Sequence, residues 1–140
     1  MTRLLVADDS ETVLLMLERR LEMEGYDVVT ATDGFEALER LREAGSQKPD
    51  VILLDAMMPN MSGTEVLEQL RIQGSKIPVL MISAHLDAQE PDRMRSLGAS
   101  DCIPKPFEWE DLIGKIEELA GNPPSDGDSS PDGDSRPDAG

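Results

Sequence analysis

Apolar residues along the chain fall into short blocks, separated by longer stretches in which they recur every three or four positions. The blocks are Leu4–Ala7, Asp27–Ala31, Val51–Leu54, Ile77–Ile82 and, more weakly, Cys102–Ile103. Such short continuous runs predict strands covered on both faces. Between them, Val13, Leu14, Leu17 and Leu21, then Ala37, Leu38 and Leu41, then Val66, Leu67 and Leu70 have the spacing of one helix face. Start signals agree: Asp33 with Glu36, and Ser62 with Glu65, fit the pattern in which side chains satisfy the first free N–H groups of a helix. Gly25, Gly45, Gly74, Gly98 and Gly121 each follow a helix-patterned stretch, where a residue tolerant of positive φ is favoured. Five β-α units in this order predict an α/β domain, a doubly wound five-stranded parallel sheet with five flanking helices. Ligands of such sheets bind beyond the carboxyl ends of the strands.

From 122 to 140 the pattern stops. Pro, Ser, Asp and Gly dominate, in the near-repeat Ser125-Asp126-Gly127-Asp128-Ser129 and Pro131-Asp132-Gly133-Asp134-Ser135, with no apolar residue larger than alanine. Such a segment cannot bury enough surface to offset its ordering entropy, so the expected division is a domain over 1–121 and an acidic disordered tail over 122–140. The Asp-Gly-Asp pairs lack the full ligand pattern of a calcium loop. In the whole chain of 140 residues, 39% are apolar and only four are Phe, Tyr or Trp, enough for one aliphatic core.

Charge narrows the function classes. Asp plus Glu number 29 against 13 Lys plus Arg, a net charge of −16. The tail, with five Asp and one Arg, carries −4 of this and leaves −12 on the rest, so the acidity is global. Direct nucleic-acid binding is disfavoured. Cys102 is the single cysteine and cannot form an internal disulfide, and no secretory leader pattern precedes it, which together predict a reducing cytoplasmic setting. No apolar run is long enough for membrane insertion.

The polar residues at the strand carboxyl ends are the candidate chemistry: Asp8 and Asp9 after the first strand, Asp55 after the third, Ser83 after the fourth and Lys105 past the fifth. Singly, each has a plainer reading. Asp8-Asp9-Ser10 caps the next helix, Asp55 is a turn residue, and Ser83 says almost nothing. Lys105 is harder to dismiss, because Pro104 and Pro106 hold it rigidly. Together they converge on one edge. Three crowded carboxylates repel unless a divalent cation joins them, and an oxygen-only set suits Mg²⁺. A lysine and a hydroxyl beside that site suit a tetrahedral oxyanion such as a phosphoryl group.

The stretches Val6-Ala7-Asp8-Asp9-Ser10, Asp55-Ala56-Met57-Met58-Pro59-Asn60-Met61-Ser62-Gly63, Ile82-Ser83-Ala84 and Pro104-Lys105-Pro106-Phe107 resemble, in order and spacing, the receiver domain of bacterial two-component response regulators, over residue 3 to about 120. The resemblance implies a flavodoxin-like fold in which Asp55 accepts a phosphoryl group from a sensor histidine kinase or phosphotransfer protein. It implies Mg²⁺ on Asp9 and Asp55, with Asp8 acting mostly through water and the Met57 backbone carbonyl as a further ligand. Ser83 and Lys105 would hold the phosphoryl oxygens, and a conformational change would signal to a downstream effector protein, with a phosphorylation-dependent dimer as one form of output. The Lys105–Pro106 bond is expected to be cis.

Two positions, Cys102 and Pro91, depart from the pattern. Cys102 stands where the family carries Tyr or Phe, three residues before the lysine, and reads as a small core residue rather than a redox sensor. Pro91 predicts a late start and a short fourth helix, after a long mobile loop from Ala84 to Glu90. His85 and Met57 sit two residues after Ser83 and Asp55, at positions that flank the path of attacking water by resemblance. Gly114 weakens the last helix, which Trp109 is expected to anchor. A receiver signalling by protein contact, with no output domain visible, is therefore expected. The alternatives are a Mg²⁺-dependent small-molecule phosphatase, against which the short connections argue, and a receiver that works without phosphorylation, against which the complete set of site residues argues.

Overall fold

The computed structural model describes residues 2–45, 47–83 and 90–121. The chain divides into two compact units, 1–107 and 108–140. The first holds β1 (Arg3–Ala7), α1 (Glu11–Met23), β2 (Asp27–Ala31), α2 (Gly34–Glu43), β3 (Val51–Asp55), α3 (Gly63–Ile72), β4 (Val79–Ser83), α4 (Glu90–Ser96) and β5 (Asp101–Pro104); the second holds α5 (Trp109–Leu119). All strand pairs are parallel, in the order β2-β1-β3-β4-β5. The expected α/β architecture of five parallel strands and five helices is present.

Strand order follows burial. Every residue of β3 and β4 is buried, as central strands of a two-sided sheet require, whereas edge strand β2 buries only Val28 and Ala31. Parallel crossovers are right-handed. The step from β1 to β2 therefore sets α1 on one face, and the opposite steps to β3, β4 and β5 set α2, α3 and α4 on the other. On that second face Leu5, Ile52, Leu54 and Met81 pack with Ala37, Leu67 and Met94 in one core cluster. On the first, α1 buries Leu14, Leu17 and Leu21. Within the second unit, Leu112 and Ile116, one turn apart on α5, are its buried residues, and Trp109 is half-buried.

The sequence signals meet differences of detail. Ser62 and Glu65 form a complete capping box. Asp33 accepts from the Glu36 N–H at 2.8 Å, but the Glu36 carboxylate turns to the Thr32 N–H at 2.6 Å instead of closing the box on Asp33. β4 begins at Val79 rather than Ile77, since Pro78 has no N–H to give to a ladder. α4 is a short helix starting at Glu90, with Pro91 in its first turn, as expected. The loop expected over Ala84 to Glu90, His85 and the tail 122–140 lie, but for Glu90, outside the described residues.

Burial sets the expected stability effects. Leu53, at the centre of β3, is 0% exposed, and Leu53→Ala costs about 3–4 kcal/mol through lost transfer energy and the cavity left behind. Leu15 on α1 is 49% exposed, and Leu15→Ala changes stability by less than about 0.5 kcal/mol. Urea unfolding of the two variants side by side measures the contrast.

Candidate functional site

The parallel register carries the polar residues to one sheet edge. Ala7 is level with Leu54, so Asp8 follows β1 beside Asp55, the last residue of β3. Asp55 is level with Ile82, and Ser83 with Pro104, which places Ser83 and Lys105 further along the same edge. Asp8, Asp9 and Asp55 each offer a carboxylate oxygen within 4.8 Å of the others. Asp8 and Asp55 are buried and Asp9 is exposed. Lys105 Nζ donates to Asp8 Oδ2 and to Asp55 Oδ2, both at 3.0 Å. The Lys105–Pro106 bond is cis, as expected.

Backbone groups fix both buried carboxylates. The Ser10 N–H donates to Asp8 Oδ1 at 2.9 Å, and the Met57 N–H to Asp55 Oδ1 at 3.1 Å. The Lys105 N–H donates to the Ser83 carbonyl at 2.8 Å, tying the lysine to the hydroxyl-bearing residue. Ser83 is buried and, with Ala56 and Met57, lines a cavity of about 400 Å³ beside the cluster. Met57 is 64% exposed, so its side chain faces solvent while its N–H serves Asp55.

Electrostatics follow from this arrangement. Burial pushes the Asp55 carboxyl above its ordinary 3.8; the bonds from Lys105 and Met57 pull the other way, and the neighbouring Asp8 charge adds to the rise. For Lys105, burial alone would lower the value, but the bonds to Asp55 and Asp8 outweigh it and hold the ammonium above its ordinary 10.5. Three carboxylates and one ammonium give the cluster a formal charge of −2, which one divalent cation neutralises. The donor set therefore fits Mg²⁺: all ligands are hard oxygens, and exposed Asp9 keeps one side open to the waters this ion retains.

Lys105→Met leaves Asp8 and Asp55 buried without their shared donor, and is expected to cost about 2 kcal/mol in metal-free buffer. Because the Lys105 value is raised on folding, its stabilisation is complete below pH 10.5 and is lost only as pH climbs through the folded-state value. The Tm gap between wild type and variant should stay constant from neutral pH to near pH 10; a gap that closed on approaching neutrality would contradict this.

Two residues shape the site for reasons that spacing does not reveal. A Cβ at Gly63 would fall on the Asp55 carbonyl oxygen and lie 3.1 Å from Ala56 Cα. Asn60 takes φ 68°, a left-handed turn conformation, and its Nδ2 reaches Asp33 Oδ2 at 3.5 Å. Both lie in the loop that leads from Asp55 into α3. Cys102 is buried with its Sγ 3.5 Å from Met94 Sδ, so it packs β5 against α4, in agreement with the core reading.

Comparison with known proteins gives a consistent result. Residues 4–117 match the response regulator receiver domain family. The alkaline phosphatase synthesis transcriptional regulatory protein PhoP of Bacillus subtilis is 39% identical over 117 residues, 84% of this chain and 48% of that protein. Response regulator MprA of Mycobacterium ulcerans is 41% identical over 117 residues, 84% of this chain and 49% of its own. The chain thus spans about half the length of these curated relatives. Among solved structures, the Francisella response regulator 1452 receiver domain superposes with a TM-score of 0.79 at 31% identity, covering 86% of this chain and 98% of that one. A CheX–CheY complex with BeF3 and Mg²⁺ from Borrelia burgdorferi gives 0.78 at 27% identity, covering 84% and 88%. Among the described residues no helix is long and apolar enough to cross a membrane. The chain belongs to the receiver domain family of two-component response regulators, whose known role is phosphorylation and signalling by conformational change.

Proposed function

We propose that Asp55 is the phospho-acceptor, that Asp8, Asp9, Asp55 and the Met57 backbone carbonyl hold Mg²⁺, and that Ser83 and Lys105 bind the phosphoryl oxygens. The observation that carries this reading is the buried Asp55 carboxylate, held by the Met57 N–H on one oxygen and by Lys105 on the other. The donor is a phosphohistidine of a sensor kinase or phosphotransfer protein. An Asp55 oxygen attacks phosphorus, the P–N bond breaks with its electron pair going to the imidazole, and an acyl phosphate results. Bound Mg²⁺ supplies charge neutralisation between the phosphate and the carboxylates. Lys105, already within reach of Asp55, neutralises part of the charge the acyl phosphate adds. The Ser83 hydroxyl donates to an oxygen of the acyl phosphate, and the charge and acceptor oxygens so added alter the surface around the site. Attack of water on phosphorus releases inorganic phosphate and restores the carboxylate. The output is a conformational signal to an effector protein, in a reducing cytoplasmic setting. The BeF3 and Mg²⁺ complex of the Borrelia burgdorferi relative supports the same site chemistry here.

Intact mass after incubation with Mg²⁺ and a small acyl-phosphate donor tests the reading. A labile phosphoryl adduct is expected, and EDTA should abolish it. If neither this donor, nor beryllofluoride with Mg²⁺, nor phosphorylated kinases modify or bind the folded protein, phosphotransfer is the wrong function.

A further inference from the structure

Far from the acidic cluster in charge character, the surface between α2 and α3 reverses the sign of the molecule. A cavity of about 620 Å³ there is lined by Arg42, Lys48 and Lys76, and no carboxylate is among its described lining residues. In a chain of net charge −16 such a concentration of cations is unusual. Among the described residues Arg42 reaches a carboxylate only at 3.8 Å, that of Glu39, and Lys48 donates to a neutral main-chain oxygen, that of Leu41, which leaves its charge unpaired. Lys76 is exposed and has no ion pair among the described residues.

The groove continues. Leu38 and Arg42 also line a second cavity, of about 480 Å³, together with Phe35, Met61, Glu39 and Gln69. Phe35, Leu38 and Arg42 stand at successive turns of one side of α2, so the combined groove runs along the helix from Phe35 toward Lys48 and Lys76, with Glu39 the one carboxylate among its described lining residues. Phe35 is 57% exposed although it is one of only two phenylalanines in the chain. An aromatic left in water beside partly buried Leu38 and Met61 makes a contiguous apolar patch rather than a scattered surface residue.

We propose that the α2–α3 groove docks an acidic amphipathic helix of a partner protein, its apolar face over Phe35, Leu38 and Met61 and its carboxylates toward Arg42, Lys48 and Lys76. A groove between two helices accepts a third through anchors at helical spacing. Charge complementarity selects the sign: beyond about 8 Å the acidic remainder of the molecule is screened at physiological salt, leaving the local cations to decide. The acidic tail of this chain fits less well, because it has no apolar side chain larger than alanine or proline to lie over Phe35, Leu38 and Met61.

The test is selection of a phage-displayed library of random 16-residue peptides on the immobilised full chain, followed by affinity measurement on Phe35→Glu and Lys76→Glu. Both side chains are exposed and outside the phosphoryl site, so unchanged Tm and unchanged phosphoryl uptake verify the fold of each variant. Enriched peptides are expected to pair Leu, Ile or Phe at helical spacing with Asp or Glu, and to lose at least about tenfold in affinity on each variant. The proposal is overturned if no peptide is enriched, if the enriched peptides are basic, or if they bind both variants as well as the wild type. It is overturned equally if tail-like Asp-Gly-Ser peptides win, or if sedimentation shows that the same substitutions break a self-association of the chain.

Discussion

Asp55→Asn is expected to remain folded and to lose phosphoryl uptake by a factor on the order of a thousand or more, because a neutral amide oxygen cannot replace a carboxylate as nucleophile. The same substitution should raise Tm in metal-free buffer at neutral pH. The sign follows from the direction of the Asp55 shift. Burial raises the carboxyl above 3.8, so between that value and the folded-state value the native protein holds the proton more firmly than the unfolded chain does. Stability therefore falls as pH rises through that window, and above it the full cost of an ionised, buried Asp55 beside Asp8 is present. Asn removes that cost, while Lys105 keeps Asp8 as its partner. Intact mass with an acyl-phosphate donor reads the first effect and calorimetry in EDTA the second. A drop in Tm would show that the Lys105 and Met57 bonds outweigh burial, contrary to the assigned balance.

Gly63→Ala carries the other large effect, expected to cost about 3 kcal/mol or more and to lower Tm by on the order of 10 °C. The added Cβ meets the Asp55 carbonyl oxygen and the Ala56 Cα, which are backbone atoms of a buried strand end and cannot rotate away. Relief requires moving either the start of α3 or the residue that bears the carboxylate. The Gly63 N–H bond to the Ala56 carbonyl, at 3.2 Å, would go with it. Since a displacement of about 1 Å at a reacting group costs on the order of a hundredfold in rate, phosphoryl uptake should fall as well as stability. Gly114→Ala is the control. Nothing lies within 4 Å of a Cβ there, and in mid-helix alanine should stabilise by about 1 kcal/mol. Chemical denaturation of both variants, with uptake rates for Gly63→Ala, separates a steric requirement from a general preference for glycine.

Most of the architecture was legible because burial and periodicity are local records of a global arrangement. A central strand such as β3 must be apolar at every position, and Val51–Leu54 is; helix α1 must present one stripe, and Leu14, Leu17 and Leu21 do. The ends of elements were less legible, since they depend on single hydrogen bonds. Whether Glu36 returns to Asp33 or to Thr32 is decided by loop geometry that no spacing rule contains. The candidate site was readable for a similar reason: in a parallel sheet, a residue at or just past the carboxyl end of a strand is delivered to the carboxyl edge whatever its partners are, which applies to Asp8, Asp55 and Lys105 alike.

By itself, then, the sequence determined the α/β class, the number of strands, the edge at which polar chemistry collects and the identities of the carboxylates and lysine, because each follows from pattern within a few residues. Tertiary structure alone decided that Lys105 bridges Asp8 and Asp55, across 97 and 50 residues of chain, and that Gly63 must lack a Cβ. It also set the cations of α2 and of the loops near 48 and 76 along one groove. These are contacts between segments distant in sequence, and they are fixed by strand order and helix packing, which no local pattern records.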